Sequence, residues 1–341
     1  MRTSNVQRRS HQKVINEIVR IVRQVLNVPS TLFDHVLARF YYDLILASKI
    51  KTVKGSVVLS EKCAIYLVFP DPFLSQGHLT SIKYLLSEGY APVVVSNAPL
   101  SQAELDLIRP FAHQILIRPN FGYDFGGYRD GILAVYPERN RIRRLAIFND
   151  SCWFPLPDSK SWLAAAEAMN VDFAGALAHA DMDWLDVLVD PTISDKRLKR
   201  HKKLFHYCSF ALLFSRGALE KDIFWQFWRR LRISSSKHRT IRYGERALSN
   251  FMFKTGFSHA VSTSQEDIAQ SLKALPEAQK TTEVRLFLQQ GGWPAYALRE
   301  HLWTTFHLMF LKKRFQGALM TTQRSDLSGV IAEQSKPLCG S

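Results

Sequence analysis

Four short apolar runs alternate with helix-like segments between residues 64 and 148, and this alternation most constrains the fold. The runs are 64–69 (AIYLVF), 92–96 (PVVVS), 114–117 (QILI) and 145–148 (LAIF). Each is too short for a helix and too uniformly apolar for a strand with one wet face. Strands buried on both faces read this way. Between them, 79–88, 102–111 and 127–135 read as helices, the first ending at Gly89. Strand–helix alternation implies βαβ units, right-handed crossovers and a mostly parallel sheet wound on both faces. Residues 173–177 and 210–214 read as later strands, and 223–231 as an aromatic-rich helix. In such sheets ligands sit beyond the carboxyl ends of the strands, so the residues that follow each strand are the candidates.

The flanks differ in character. Residues 1–56 carry ten Lys and Arg against three Asp and Glu, with Val14, Ile15, Ile18, Val22 and Val25 at helical spacing. They read as a basic amphipathic helical extension, packed on the main domain or laid on an anionic membrane. Residues 57–275 read as the catalytic or binding domain. Residues 283–320 hold Trp293, Trp303, Phe306 and Phe310 beside Lys312, Lys313 and Arg314, and read as an aromatic and basic C-terminal helix. The tail, 321–341, reads as disordered. Residues 181–203 form a polar stretch ending in DKRLKRHKK, a solvated loop or a diphosphate- or membrane-contacting one.

The whole chain of 341 residues has a formal charge of +15. That favours an anionic partner: a phosphorylated small molecule, an acidic membrane face or nucleic acid. The third is disfavoured, because the basic residues are spread and no recognition module stands out. Four scattered cysteines form no CxxC pair. Zinc spacing, an HExxH motif and a GxSxG elbow are all missing, so zinc and serine-hydrolase chemistry are disfavoured. The polar N-terminus and the lack of a long uncharged apolar run point to a cytoplasmic chain, peripheral on the inner face of the cytoplasmic membrane.

Three clusters carry chemistry. The densest is 118–132, RPNFGYDFGGYRDGI. Gly122, Gly126 and Gly127 read as a glycine-rich turn that opens a helix and lets a ligand approach the backbone, with Asn120 and Asp124 beside them. Neither GxGxxG nor GxxxxGK[ST] is present. The second is Asn149-Asp150-Ser151, after the LAIF run. Asp150 there either caps a helix or holds Mg2+ or Mn2+ against a nucleotide diphosphate. The third is Tyr243-Gly244-Glu245. Glu245 reads either as ordinary charge at a helix start or as a general base. His206 reads as a packing or hydrogen-bonding residue.

In this order the clusters resemble the rhamnan synthesis protein F family of polysaccharide glycosyltransferases. The resemblance rests on Asn120-Phe121-Gly122-Tyr123-Asp124-Phe125-Gly126, Tyr128, Asn149-Asp150-Ser151, Phe224-Trp225-Gln226-Phe227-Trp228, Gly244-Glu245 and the stretch 310–315, and it covers residues 60–315. It departs at Tyr207-Cys208-Ser209-Phe210, where the family pattern is Gln-Ser-Tyr-Phe. The resemblance implies a GT-A-like fold and transfer of a sugar, rhamnose or another deoxyhexose, from a nucleotide diphosphate-sugar. The acceptor it implies is a cell-surface polysaccharide or lipid-linked saccharide. It implies that Asn120, Gly122 and Asp124 line the nucleotide pocket, that Asp150 meets metal and diphosphate, and that Glu245 is the base. A non-catalytic scaffold built on the same fold is the alternative.

Overall fold

The computed structural model describes residues 37–155, 159–179, 206–263, 311–312 and 332–338. The chain enters through a helical turn, Ala38–Tyr41, that runs on to Lys49, then adds an edge strand, β1 (Lys51–Lys54). The βαβ series follows: β2 (Lys62–Val68), α1 (Gln76–Ser87), β3 (Ala91–Ser96), α2 (Gln102–Ile108), β4 (Gln114–Ile117), α3 (Tyr123–Val135) and β5 (Arg144–Asn149). After a short β6 (Cys152–Trp153) come α4 (Trp162–Ala168), β7 (Phe173–His179), β8 (His206–Tyr207), β9 (Ala211–Ser215), α5 (Asp222–Arg230), α6 (Arg246–Lys254) and β10 (His259–Thr263).

The main sheet runs in the order β1-β4-β3-β2-β5-β9-β7-β10, with β8 paired to β7. Strands β4, β3, β2 and β5 are parallel, and so are β7 and β10. β1 and β9 run the other way. The alternation of β2 explains its composition. Cys63, Ile65 and Leu67 face one core with Phe125, Tyr128, Trp225 and Trp228. Ala64, Tyr66 and Val68 face the other with Ile82, Leu105, Ile108 and Trp162. Both faces are covered, so the expected doubly wound, mostly parallel α/β sheet is what forms.

Helix α3 begins at Tyr123, four residues before the expected start. Gly126 and Gly127 therefore lie inside the helix, not in a ligand-facing turn. A Cβ on Gly127 would sit 2.3 Å from Leu67 Cδ1, and one on Gly131 2.6 Å from Ile65 Cγ2. These glycines let α3 lie close on β2. Within the 118–132 cluster Gly122, at φ +83°, is the glycine that needs the residue's backbone freedom.

The flanks also differ from the reading. Lys51–Lys54 belong to the sheet, and Tyr42 is buried in the core. Leu311–Lys312, expected to be helical, form a strand, β11, that pairs with β6. Within the tail expected to be disordered, residues 332–338 pack on α1: Leu338 N donates to Leu74 O at 2.8 Å and Gln76 N to Lys336 O at 2.9 Å. Residues 1–36, the loop 181–203 and the rest of 283–320 lie outside the described residues. No helix among the described residues is long and apolar enough to cross a membrane.

One buried charge cluster ties the entry helix to the sheet. Arg118 is fully buried and donates to Asp130 Oδ2 at 2.6 Å, to Phe121 O at 2.6 Å and to Tyr42 Oη at 3.0 Å. Tyr42 also donates to Asp130. Burial, then the Asp130 charge, holds the Tyr42 phenol well above its usual range, so it stays a donor. Removing Asp130 would leave a buried guanidinium unpaired. Asp130→Ala is expected to cost about 3–5 kcal/mol of unfolding free energy in a urea titration. A loss below ~1 kcal/mol would show that Arg118 finds another counterion.

Candidate functional site

Strands β2, β3 and β4 are laid down in one direction across the sheet. Helix α3 then carries the chain to the opposite face, and β5 comes down on the other side of β2. The order therefore reverses between β2 and β5. A crevice outside their carboxyl ends is the place where open α/β sheets bind ligands.

The residues after those two strands meet there. Asp150 N donates to Leu67 O at 3.0 Å, and Asp150 Oδ2 accepts from Phe69 N at 2.9 Å. The same oxygen meets His78 Nε2 at 3.1 Å. His78 is the third residue of α1, and its Nδ1 accepts from Ser75 N at 2.9 Å. An Nδ1 that accepts puts the proton of a neutral imidazole on Nε2, aimed at Asp150. Ser75 and His78 close a capping box on α1. The usual partner at this position is Glu or Gln, so Ser-x-x-His gives a weak sequence signal. This is why His78 was missed and α1 was expected to begin at residue 79.

Asp124 stands in the first turn of α3, and Asn149 Nδ2 donates to its Oδ2 at 3.0 Å. Asn149 Oδ1 in turn accepts from Ser151 N and Oγ. The glycine cluster and the Asn-Asp-Ser cluster are thus joined directly. Glu245 arrives from the other side of the sheet. A Cβ on Gly244 would fall 2.4 Å from the Phe125 ring, so glycine lets this turn press against α3. Glu245 Oε1 accepts from Ser209 Oγ, and His206 Nε2 lies 3.7 Å from Oε2. Ser209 is in the tetrad that departs from the family pattern. β9 runs antiparallel, so its leading residues, Ser209 and Phe210, reach the same edge of the sheet as Asn149.

Tyr128 lies beneath all of this, fully buried, donating to Ser209 O at 2.8 Å. Its phenol is held far above its usual range, first by burial, then by the charges of Asp124 and Glu245, with Asp150 adding a smaller push. Three carboxylates from three separate segments therefore bear on one buried hydroxyl. Asp124, Asp150 and Glu245 each keep partial solvent access, and Tyr123 and Phe69 at the rim are exposed.

The other expected site residues fall differently. Asn120 is exposed and forms no hydrogen bond among the described residues. Gly122 is buried as the N-cap of α3. Gly126 N is taken up by Gly122 O in the helix, and Gly127 packs on Leu67, so neither offers backbone to a ligand. No trio of His, Cys, Asp or Glu among the described residues forms a ready-made metal cage. The oxygen donors Asp124 and Asp150 suit Mg2+ or Mn2+, which commonly take one or two carboxylates and draw the remaining ligands from water and phosphate.

Comparison with known proteins fits this arrangement. The model of the family described as Rhamnan synthesis protein F matches residues 92–288, more than half of the chain. A protein described as "Uncharacterized protein y4gN" from Sinorhizobium fredii is 27% identical over 261 residues, covering 76% of this chain. The chain spans 63% of that relative's length. Among solved structures, the mannosyltransferase Ktr4p from S. cerevisiae aligns at 10% identity and a TM-score of 0.31, over 59% of this chain and 68% of that one. Core-mannan synthase A from Aspergillus fumigatus, in its Mn/GDP form, aligns at 8% identity and a TM-score of 0.33, over 63% and 73%.

Two predictions test the local architecture. His78→Ala removes both the capping acceptor and a donor to Asp150, and is expected to cost about 1–3 kcal/mol in a urea titration. His78→Gln, which restores an ordinary capping box, should recover part of that loss. The second concerns Glu104, which anchors the loop before α1. Burial alone would raise its pKa, but donation from Leu74 N and Ser101 N overcomes this and holds the carboxyl below its ordinary 4.5. A depressed pKa contributes stability above the ordinary value, which is lost as pH falls through the depressed one. The stability gap between wild type and Glu104→Gln should be widest near neutrality and close below pH 4.5.

Proposed function

The chain belongs to the rhamnan synthesis protein F family, and we propose that it is a glycosyltransferase with a GT-A-like site, moving a deoxyhexose such as rhamnose from a nucleotide diphosphate-sugar to a saccharide acceptor. The observation that carries this reading is the meeting of Asp124, Asn149 and Asp150 at the reversal point of the sheet, with Glu245 bearing on the same buried tyrosine.

Each group has a chemical task in this reading. The donor lies across the carboxyl ends of β2 and β5. Asp124 and Asp150 would hold a divalent ion, which supplies positive charge to the diphosphate as it departs. The requirement is electrostatic: three carboxylates facing a diphosphate repel it unless a cation stands between them. Phe69 N and His78 fix the Asp150 carboxylate, so its free orientations are few when the donor arrives. Asn149 does the same for Asp124.

Glu245 takes the proton from the acceptor hydroxyl as that oxygen attacks the anomeric carbon. Ser209 Oγ orients Oε1, which leaves Oε2 as the basic edge, with His206 beside it. The acceptor is a growing cell-surface polysaccharide or a lipid-linked saccharide. The place of work is the cytoplasmic side of the membrane, reached as a peripheral protein.

A thermal-shift panel of dTDP-, UDP- and GDP-sugars, with and without Mn2+, tests the donor. The cognate nucleotide should stabilise the fold by about 2.7 kcal/mol when present at ~100 times its Kd. Asp124→Ala and Asp150→Ala should shrink that increment. Glu245→Gln should keep donor binding and lower kcat by about 10²–10⁴-fold. A panel in which no nucleotide stabilises the protein and none is turned over sinks the reading.

A further inference from the structure

Away from the carboxylate crevice, α5, α6 and the turns before α6 enclose two adjoining cavities of about 640 and 520 Å3. They share Tyr243, Ala247 and Phe251 and so form one trough. Its cations are Arg230, Arg232, Arg242, Arg246 and Lys254, and no acidic side chain among the described residues lines either cavity. Arg230, Arg232, Arg242 and Lys254 are exposed and form no ion pair among the described residues. From Arg246 to Lys254 the trough follows α6 for about 12 Å at 1.5 Å per residue.

We propose that this trough holds an anionic saccharide chain, the acceptor already built, through its carboxylate or phosphate groups. Identifying the chain as the acceptor rests on the glycosyltransferase reading. The case for a saccharide comes from the lining. Gln226 and Asn250 offer neutral hydrogen-bonding groups among the cations, which suits a ligand that mixes hydroxyls with scattered charges. A concave trough excludes a flat bilayer. A single-stranded nucleic acid needs open aromatic faces on which to stack its bases. Here Phe227 and Phe251 stack on each other, 4.7 Å apart, and both are half-buried. The trough lies on the same helical segment as Glu245, with Arg242 and Arg246 flanking that residue in sequence.

The test uses a fluorescent polyuronate oligomer, its binding read by anisotropy at ~0.15 M salt. Three proteins are compared: wild type, Arg242→Glu/Lys254→Glu, and a control, Lys51→Glu/Lys54→Glu. The control pair lies on β1, at the opposite edge of the sheet from β10. Both double variants replace two cations with two anions, so a general effect of net charge is matched. The trough variant should lose about tenfold or more in affinity and the control less than about twofold. Neutral dextran of the same length should not compete. If the trough variant fails to fold by circular dichroism, Arg230→Glu/Arg232→Glu replaces it.

Equal loss in both variants overturns the proposal, and so does competition by neutral dextran. Tighter, trough-dependent binding of a deoxythymidine oligomer or of phosphatidylglycerol vesicles overturns it in favour of that partner. The donor panel is independent of this result. Polyuronate binding that survives a failed panel leaves the trough and removes the catalysis; a successful panel without polyuronate binding does the reverse.

Discussion

The contact between the Asp150 carboxylate and the Phe69 amide bridges the gap where the sheet reverses its order. A strand pair whose crossovers leave on opposite faces has no helix closing its carboxyl end. Backbone there is short of partners. The structure answers with side chains: Asp150 takes the Phe69 N–H, His78 approaches the same oxygen, and Asn149 joins α3 to β5 through Asp124. A crevice that must be closed by polar groups is also one that can be opened to a polar ligand. Stability and binding therefore draw on the same carboxylates. Replacing any of them tests both at once, which is why ligand-induced stabilisation is more informative than basal stability at this site.

The parallel half of the fold was legible because burial on both faces leaves no polar alternation in a strand. AIYLVF, PVVVS and LAIF could hardly be anything else. The direction of β9 was not legible. Its apolar run reads the same in either sense. The glycines of 122–127 misled for a physical reason. Glycine marks both tight turns and close helix–sheet approach, and only the neighbour decides which. Gly122 meets the first need and Gly127 the second, against Leu67. His78 was invisible because its role depends on Ser75 and Asp150, residues at very different sequence separations.

The charges of the molecule are segregated. The site after β2 and β5 is acidic: Asp124, Asp150 and Glu245 raise the Tyr128 phenol together. The formal +15 of the chain is therefore not a property of the described site. Basic side chains gather on the outer face of α5 and α6 and on the flanks. An anionic donor approaching such a protein is attracted from a distance and repelled at the last few ångströms unless a cation meets it. In the proposed glycosyltransferase reading, that arrangement would favour a metal-loaded site over a purely basic one and would make donor affinity depend on metal more steeply than on ionic strength.

Glu245 sits where the two regimes join. Its carboxylate turns inward to Ser209, while the residues on either side of it, Gly244 and Arg246, face Phe125 and the basic trough. Gly244 has no side chain because α3 leaves no room for one, so the helix that carries the crevice also sets the position of the proposed base. A shift of α3 along the sheet would move Asp124 and Glu245 together. The close approach of Gly127 and Gly131 to β2 opposes such a shift. Packing glycines thus hold the distance between Asp124 and Glu245 constant. Fixed spacing between two reacting partners is what converts an encounter into a reaction.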